Sequence, residues 1–266
     1  MLRKYSNSRT LKDNLRLGVL TAYAAGMVNI ASLMIFFAFA SNVTGHYAIL
    51  AAEIARGNWY QVAIVFGWIF LFFLGSFTSN LVVIHFNHRN TYLAHAFPLV
   101  LEILCLLTVG IYGEYFYEET LTESEFLVAL MLYAMGLQNG LTASISNSKV
   151  KTTHLTGATT DLGILYSMFT KREFRENPEI RAKALLTTSI AVAYLSGGIS
   201  AGFVYLQIGF KMFYIVCFFL IIVIFYDFYK LRLVRYLNLS KVKLTNNHQS
   251  FNTRSKQKKE VKAPVS

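Results

Sequence analysis

The hydrophobic positions along this chain come in long, nearly unbroken blocks instead of the short stripes of amphipathic soluble helices. Six blocks, at about 17–40, 61–84, 92–112, 126–145, 184–206 and 211–229, reach the required length. A helix needs roughly 20 apolar residues to cross a hydrocarbon core about 30 Å thick. The alternation expected of barrel strands is missing, and in lipid each backbone polar group must find its partner within a helix or a closed barrel. The pattern therefore predicts an all-α integral membrane protein with six transmembrane helices. The first block is too long for the apolar core of a cleavable signal peptide.

The polar connections differ in charge. Residues 1–15 carry Arg3, Lys4, Arg9 and Lys12 against Asp13, and the turn 85–91 carries Arg89. The connection 146–183 holds Lys149, Lys151, Lys171, Arg172, Arg175, Arg181 and Lys183, and the tail beyond about 230 is strongly basic. The 41–60 connection has only Arg56, and the 113–125 loop has no lysine or arginine but several glutamates. Basic loops stay on the cytoplasmic side, so both termini are expected in the cytoplasm. The organisation that follows is a basic amino terminus (1–15), three spans (16–112), an acidic external loop (113–125), three more spans (126–232) and a basic tail (233–266), read as disordered. Trp59 and Tyr60 suit an interfacial anchor.

A short pattern is written twice. Gly26-Met27-Val28-Asn29 is followed by Asn42-Val43-Thr44-Gly45-His46, and Gly136-Leu137-Gln138-Asn139 by Thr152-Thr153-His154-Leu155-Thr156-Gly157. The glycines of the second block (Gly67, Gly75) and fifth block (Gly197, Gly198, Gly202) correspond as well. An internal duplication with three spans per copy would place the second copy upside down, as in transporters whose substrate sites lie at the midplane between inverted repeats. Each Thr-Gly is followed by a stretch able to form a broken or re-entrant helix, 46–55 and 158–169. Its amino terminus could present free N–H groups to an anion. The plainer alternative is a pair of capped interfacial helices.

These residues, above all Met135-Gly136-Leu137-Gln138-Asn139 and Thr153-His154-Leu155-Thr156-Gly157, resemble the YoaK-like family of bacterial multi-pass membrane proteins. The resemblance spans roughly 15–230. The family often has Asp at the position of Asn29 and Asn at that of His46. It implies about six spans in a bacterial inner membrane and has no activity to carry over.

Candidate substrate-binding residues are Asn29, Thr44, Gly45, Gln138, Asn139, Thr156, Gly157 and Asp161. The amides Asn29, Gln138 and Asn139 must face protein or water, and interhelical hydrogen bonding is the alternative role. Asp161 could bind a cation or complete a helix cap, and Glu53 holds a related place in the first half. Glu102 is the one carboxylate deep inside a block; a charge there costs roughly 2.5–3.5 kcal/mol, so the neutral acid is expected, and proton coupling is its functional reading. His95, Pro98 and Glu102 share a helix face, and the proline should kink it.

Composition excludes more than it selects. Hydrophobic residues make up 55% and charged residues 15%, too apolar for an ordinary soluble domain. The net charge of +11 lies in segments flanking the blocks, so it points to anionic lipid head groups and not to nucleic acid. Cys105 and Cys217 fall inside spans, where neither disulfide nor metal is expected. Asn42-Val43-Thr44 matches a glycosylation sequon by accident. No nucleotide loop, dinucleotide fingerprint, nucleophile elbow or zinc-protease motif occurs, so neither an enzyme nor a cofactor is expected. The expected function is a secondary transporter or permease for a small, anionic solute, with proton coupling through Glu102 and with a homo-oligomer allowed. A non-transporting scaffold or assembly factor is the first alternative, and an intramembrane enzyme the second.

Overall fold

The computed structural model describes Leu2 and residues 9–226. The basic tail 233–266 and most of the basic amino terminus lie outside the described residues. Two units divide the chain, Met1–Ile224 and Phe225–Ser266, and only the helical residues 225 and 226 of the second are described.

Helices account for the described secondary structure: α1 Leu11–Phe36, α2 Val43–Arg56, α3 Trp59–Phe86, α4 Thr91–Tyr115, α5 Leu121–Ser146, α6 Leu155–Met168, α7 Arg172–Glu176, α8 Pro178–Ile208 and α9 at 212–226. Among the described residues five stretches are long and apolar enough to cross a membrane: α1, α3, α4, α5 and the 49 residues Pro178–Tyr226. The last would be about 73 Å long if straight, more than twice the hydrocarbon core. It is not straight, because a 3-10 turn at Gly209–Lys211 interrupts it.

Local sequence explains the helix starts. Thr10 and Asp13 form a capping box at α1, and Thr120 and Glu123 form the matching one at α5. The side chains of Asn58, Asn90 and Asn177 cap α3, α4 and α8. The first span stops at Phe36, short of the apolar limit near 40. Phe37 adopts a left-handed φ of 53°, and Ser32 Oγ donates to the Ala38 carbonyl at 2.7 Å. Phe37-Ala38-Phe39-Ala40 is apolar enough to look helical but serves as the turn into α2.

Packing follows the glycines. Gly18 faces Ile190, Gly26 faces Tyr194 and Gly198, and Gly202 faces Met34, so α1 and α8 run side by side in the same direction. Gly136 faces Phe72 and Gly140 faces Ser76, while Ser144 Oγ donates to Asn80 Oδ1 at 2.7 Å; α3 and α5 are therefore also parallel. Phe36 meets Phe210, and Tyr23 meets Phe219, which makes α9 antiparallel to α1. Since α8 shares the direction of α1, the chain reverses at Gly209, whose φ of 56° and ψ of −131° suit glycine. The core between α1, α4, α5 and α9 is built from residues such as Met27, Leu106, Leu127, Met131 and Phe213.

The order of a long helix, a short one of 14 residues and two further long ones occurs twice, as α1–α4 and as α5, α6, α8 and α9. The four central glycines repeat one contact. A Cβ on Gly26, Gly197, Gly136 or Gly75 would lie 2.1, 2.0, 2.2 or 2.2 Å from the carbonyl oxygen of Tyr194, Tyr23, Phe72 or Tyr133, respectively. Only glycine allows these backbones to approach so closely.

Candidate functional site

Both short helices begin below the ends of the long helices that precede them. Asn29 lies two turns before the end of α1, yet its Oδ1 accepts from the Ser41 N–H at 3.0 Å and from Ser41 Oγ at 2.9 Å. Those bonds draw the 37–42 turn back along α1 before α2 starts. Asn139, two turns before the end of α5, does the same for the second turn: its Nδ2 donates to Thr153 Oγ1 at 2.8 Å and to the Met135 carbonyl at 3.0 Å. The Gly-x-x-Asn asparagines thus pin the entry of each short helix.

The role of the Thr-Gly pairs is steric. Neither Thr44 nor Thr156 caps its helix; each is the second helical residue. Asn42 stands at the cap position of α2, with Oδ1 accepting from the Gly45 N–H at 3.3 Å. His154 stands at the cap position of α6 and makes no side-chain cap bond. In both cases the cap side chain folds over the glycine. A Cβ at Gly45 would lie 3.1 Å from Asn42 Nδ2, and one at Gly157 only 2.2 Å from His154 Nε2. His46 packs against the Trp68 ring and bonds through Nε2 to the Phe39 carbonyl at 2.8 Å, closing the first turn.

The two short helices bring their amino termini to one pocket of about 350 Å³. Ser41 to Thr44 form one wall and Lys151 with Thr153 to Thr156 the other. Phe72 and Ser76, near the middle of α3, and Asn139 on α5 complete it. Of the sequence candidates, Thr44, Asn139 and Thr156 line this pocket. Asn29, Gly45 and Gly157 stand one layer behind, shaping the two turns. Among the described residues no Asp or Glu lines it, whereas Lys151 does.

Asp161 is elsewhere. It lies in the second turn of α6 and pairs with Lys183 on α8 at 3.1 Å, neither capping a helix nor joining the pocket. Glu53 pairs with Arg56 at 2.6 Å and accepts from Asn58 Nδ2 at 2.8 Å, tying the end of α2 to the start of α3. Among the described residues no cluster of His, Cys, Asp and Glu could hold a metal.

Glu102 is fully buried on α4, and a chain of side chains joins it to the pocket. Gln138 Nε2 donates to Glu102 Oε1 at 3.0 Å, while Glu102 Oε2 has no partner among the described residues. Thr152 Oγ1 is 3.3 Å from Gln138 Oε1 and 3.0 Å from Asn139 Oδ1. It has one proton for two acceptors, so it can serve only one of them at a time. Asn139 then reaches Thr153 and the pocket. His95, on the same helix face as Glu102, bonds instead to the Leu2 carbonyl.

Ser41, Lys151, Thr152, Thr153, Phe72 and Ser76 are not among the candidates the sequence offers, although Thr152 and Thr153 lie within the second copy of the pattern and Lys151 just before it. Ser41 and Thr153 had a usable signal, since each stands three positions before the threonine of its Thr-Gly pair. A family model described as a protein of unknown function (DUF1275) matches residues 17–226. No curated protein and no solved structure matches the chain.

Proposed function

The chain belongs to the DUF1275 family of proteins of unknown function, and from that premise we propose that it is a secondary transporter or permease for a small, anionic solute. In this reading α1, α3, α4, α5, α8 and α9 are six membrane crossings, built as two three-span repeats of opposite orientation. The parallel pairs α1 with α8 and α3 with α5, exchanged between the halves, support the inversion, as do the matched glycine crossings. The basic connection 146–183 and the acidic loop 113–125 fit a bacterial inner membrane with both termini cytoplasmic. The short helices α2 and α6 then enter from opposite faces as re-entrant segments.

The observation that carries the proposal is the pocket itself, where the amino termini of both short helices converge midway along α3. Helix amino termini offer unbonded N–H groups and a partial positive charge. Those of α6 have no side-chain cap, Lys151 adds a full positive charge, and no carboxylate among the described residues lines the pocket. Glu102, linked to the pocket through Gln138, Thr152 and Asn139, is the group through which a proton could be coupled to the solute.

A scaffold role draws on a different observation: Asn29, Gln138 and Asn139 all have partners within the protein. Flux in proteoliposomes separates the two readings. The full-length protein should move at least one small anion from a panel including acetate, nitrate and phosphate, and Asn139→Ala should reduce that flux at least tenfold. Folded protein that moves no member of the panel would favour the scaffold.

A further inference from the structure

The two halves share their backbone crossings but differ in one hydroxyl. Tyr194 and Phe72 occupy matching positions, since their carbonyl oxygens are the ones that Gly26 and Gly136 abut. In one half the Tyr194 hydroxyl lies beside Asn29 and Ser41, which bond to each other. In the other half the same place belongs to Phe72, which has no hydroxyl, and the space beside Asn139 and Thr153 is the pocket. We propose that the pocket binds a small oxyanion with one oxygen held by Thr153 beside Asn139, at the place the Tyr194 hydroxyl holds beside Asn29 and Ser41. The proposal rests on the transport reading and names its substrate class.

The hydrogen-bond roles give the ligand its polarity. Asn139 Nδ2 spends its two protons on the Met135 carbonyl and on Thr153 Oγ1. Thr153 Oγ1 is therefore an acceptor toward Asn139, and its own proton has no acceptor among the described residues. It is left to donate into the pocket, so the arriving atom must accept. A ligand oxygen there is within a pocket where, among the described residues, Lys151 is the charged wall residue. An oxyanion satisfies both demands; a cation satisfies neither, and an apolar solute would leave the donor unpaired.

The half that already holds its hydroxyl supplies the test. Phe72→Tyr should place a phenol oxygen beside Thr153 and close the pocket with the protein's own atom. Thermal unfolding of full-length protein in lipid nanodiscs is followed with acetate, nitrate or phosphate, each against chloride of equal ionic strength. The wild type should be stabilised by at least one of these oxyanions, and Phe72→Tyr should weaken its apparent affinity at least tenfold. Thr153→Val, which keeps the shape and removes the donor, should do the same and decides the matter if Phe72→Tyr does not fold. A wild-type response retained in these variants overturns the placement and leaves transport standing. A wild type stabilised by none of the three overturns the oxyanion class, while the transport reading is judged by flux alone.

Discussion

Glu102 shows what a single residue reveals and conceals. Its depth in an apolar block marks it from sequence as unusual, and its side chain is indeed fully buried. Its partner Gln138 was visible only as another amide inside a block, because a contact across 36 positions between α4 and α5 leaves no trace in local spacing. Thr152 looked like part of a polar connection, yet the 147–154 turn folds inward and makes it the relay between Gln138 and Asn139. Two substitutions separate structure from coupling. Glu102→Gln preserves an acceptor for Gln138 Nε2 and should leave the melting temperature nearly unchanged while flattening the pH profile of solute flux. Glu102→Leu removes that acceptor and should cost about 1–3 kcal/mol, because a buried amide donor loses its partner. A Glu102→Gln protein with the wild-type pH profile would remove proton coupling from this residue.

At the scale of elements, the long helices were legible because length and apolarity suffice to define them. Their ends were less so. Phe37-Ala38-Phe39-Ala40 continues the apolar pattern beyond Phe36, and only the Ser32 and Asn29 bonds reveal that the chain has turned. The sequence places the short helices near 46–55 and 158–169, but they begin earlier, at Val43 and Leu155, because the cap residue precedes the threonine. The glycines were legible as clusters, but their pairing emerges only from the parallel crossings. Gly26→Ala or Gly136→Ala would put a methyl group within about the van der Waals core of a facing carbonyl. Either should destabilise the protein by about 1–3 kcal/mol through overpacking. Gly163, inside α6 with nothing within 4 Å of an added Cβ, provides the contrast. Gly163→Ala should stabilise by about 0.5–1 kcal/mol. Thermal unfolding of the three variants in one detergent checks the order; equal effects at Gly136 and Gly163 would mean the crossings are looser than described.

For the whole molecule, the doubled pattern proves to be a rule about backbone placement. Thr10 and Asp13, Gly26 and Asn29 recur as Thr120 and Glu123, Gly136 and Asn139, so the cap, the crossing and the pin of the first helix are copied together. Asn42 and His154 show where copying stops: both fold over their glycine, but only Asn42 satisfies an N–H group of its helix. That leaves the amino terminus of α6 the more open of the two, and Lys151 lines the pocket beside it. The proposed inversion makes a topological prediction. Glu119 lies between α4 and α5, and Ser148 lies just beyond the end of α5, so about 26 helical residues, or 39 Å, separate the two ends. In intact cells, Glu119→Cys should react with a membrane-impermeant maleimide, whereas Ser148→Cys should react only after the membrane is opened. Cys217 is buried and Cys105 half-buried, so background labelling should be low, and replacing both with alanine removes it. Labelling of both introduced cysteines from outside would break the alternation of crossings on which the inverted repeat, the re-entrant reading of α2 and α6 and the midplane position of the pocket all depend.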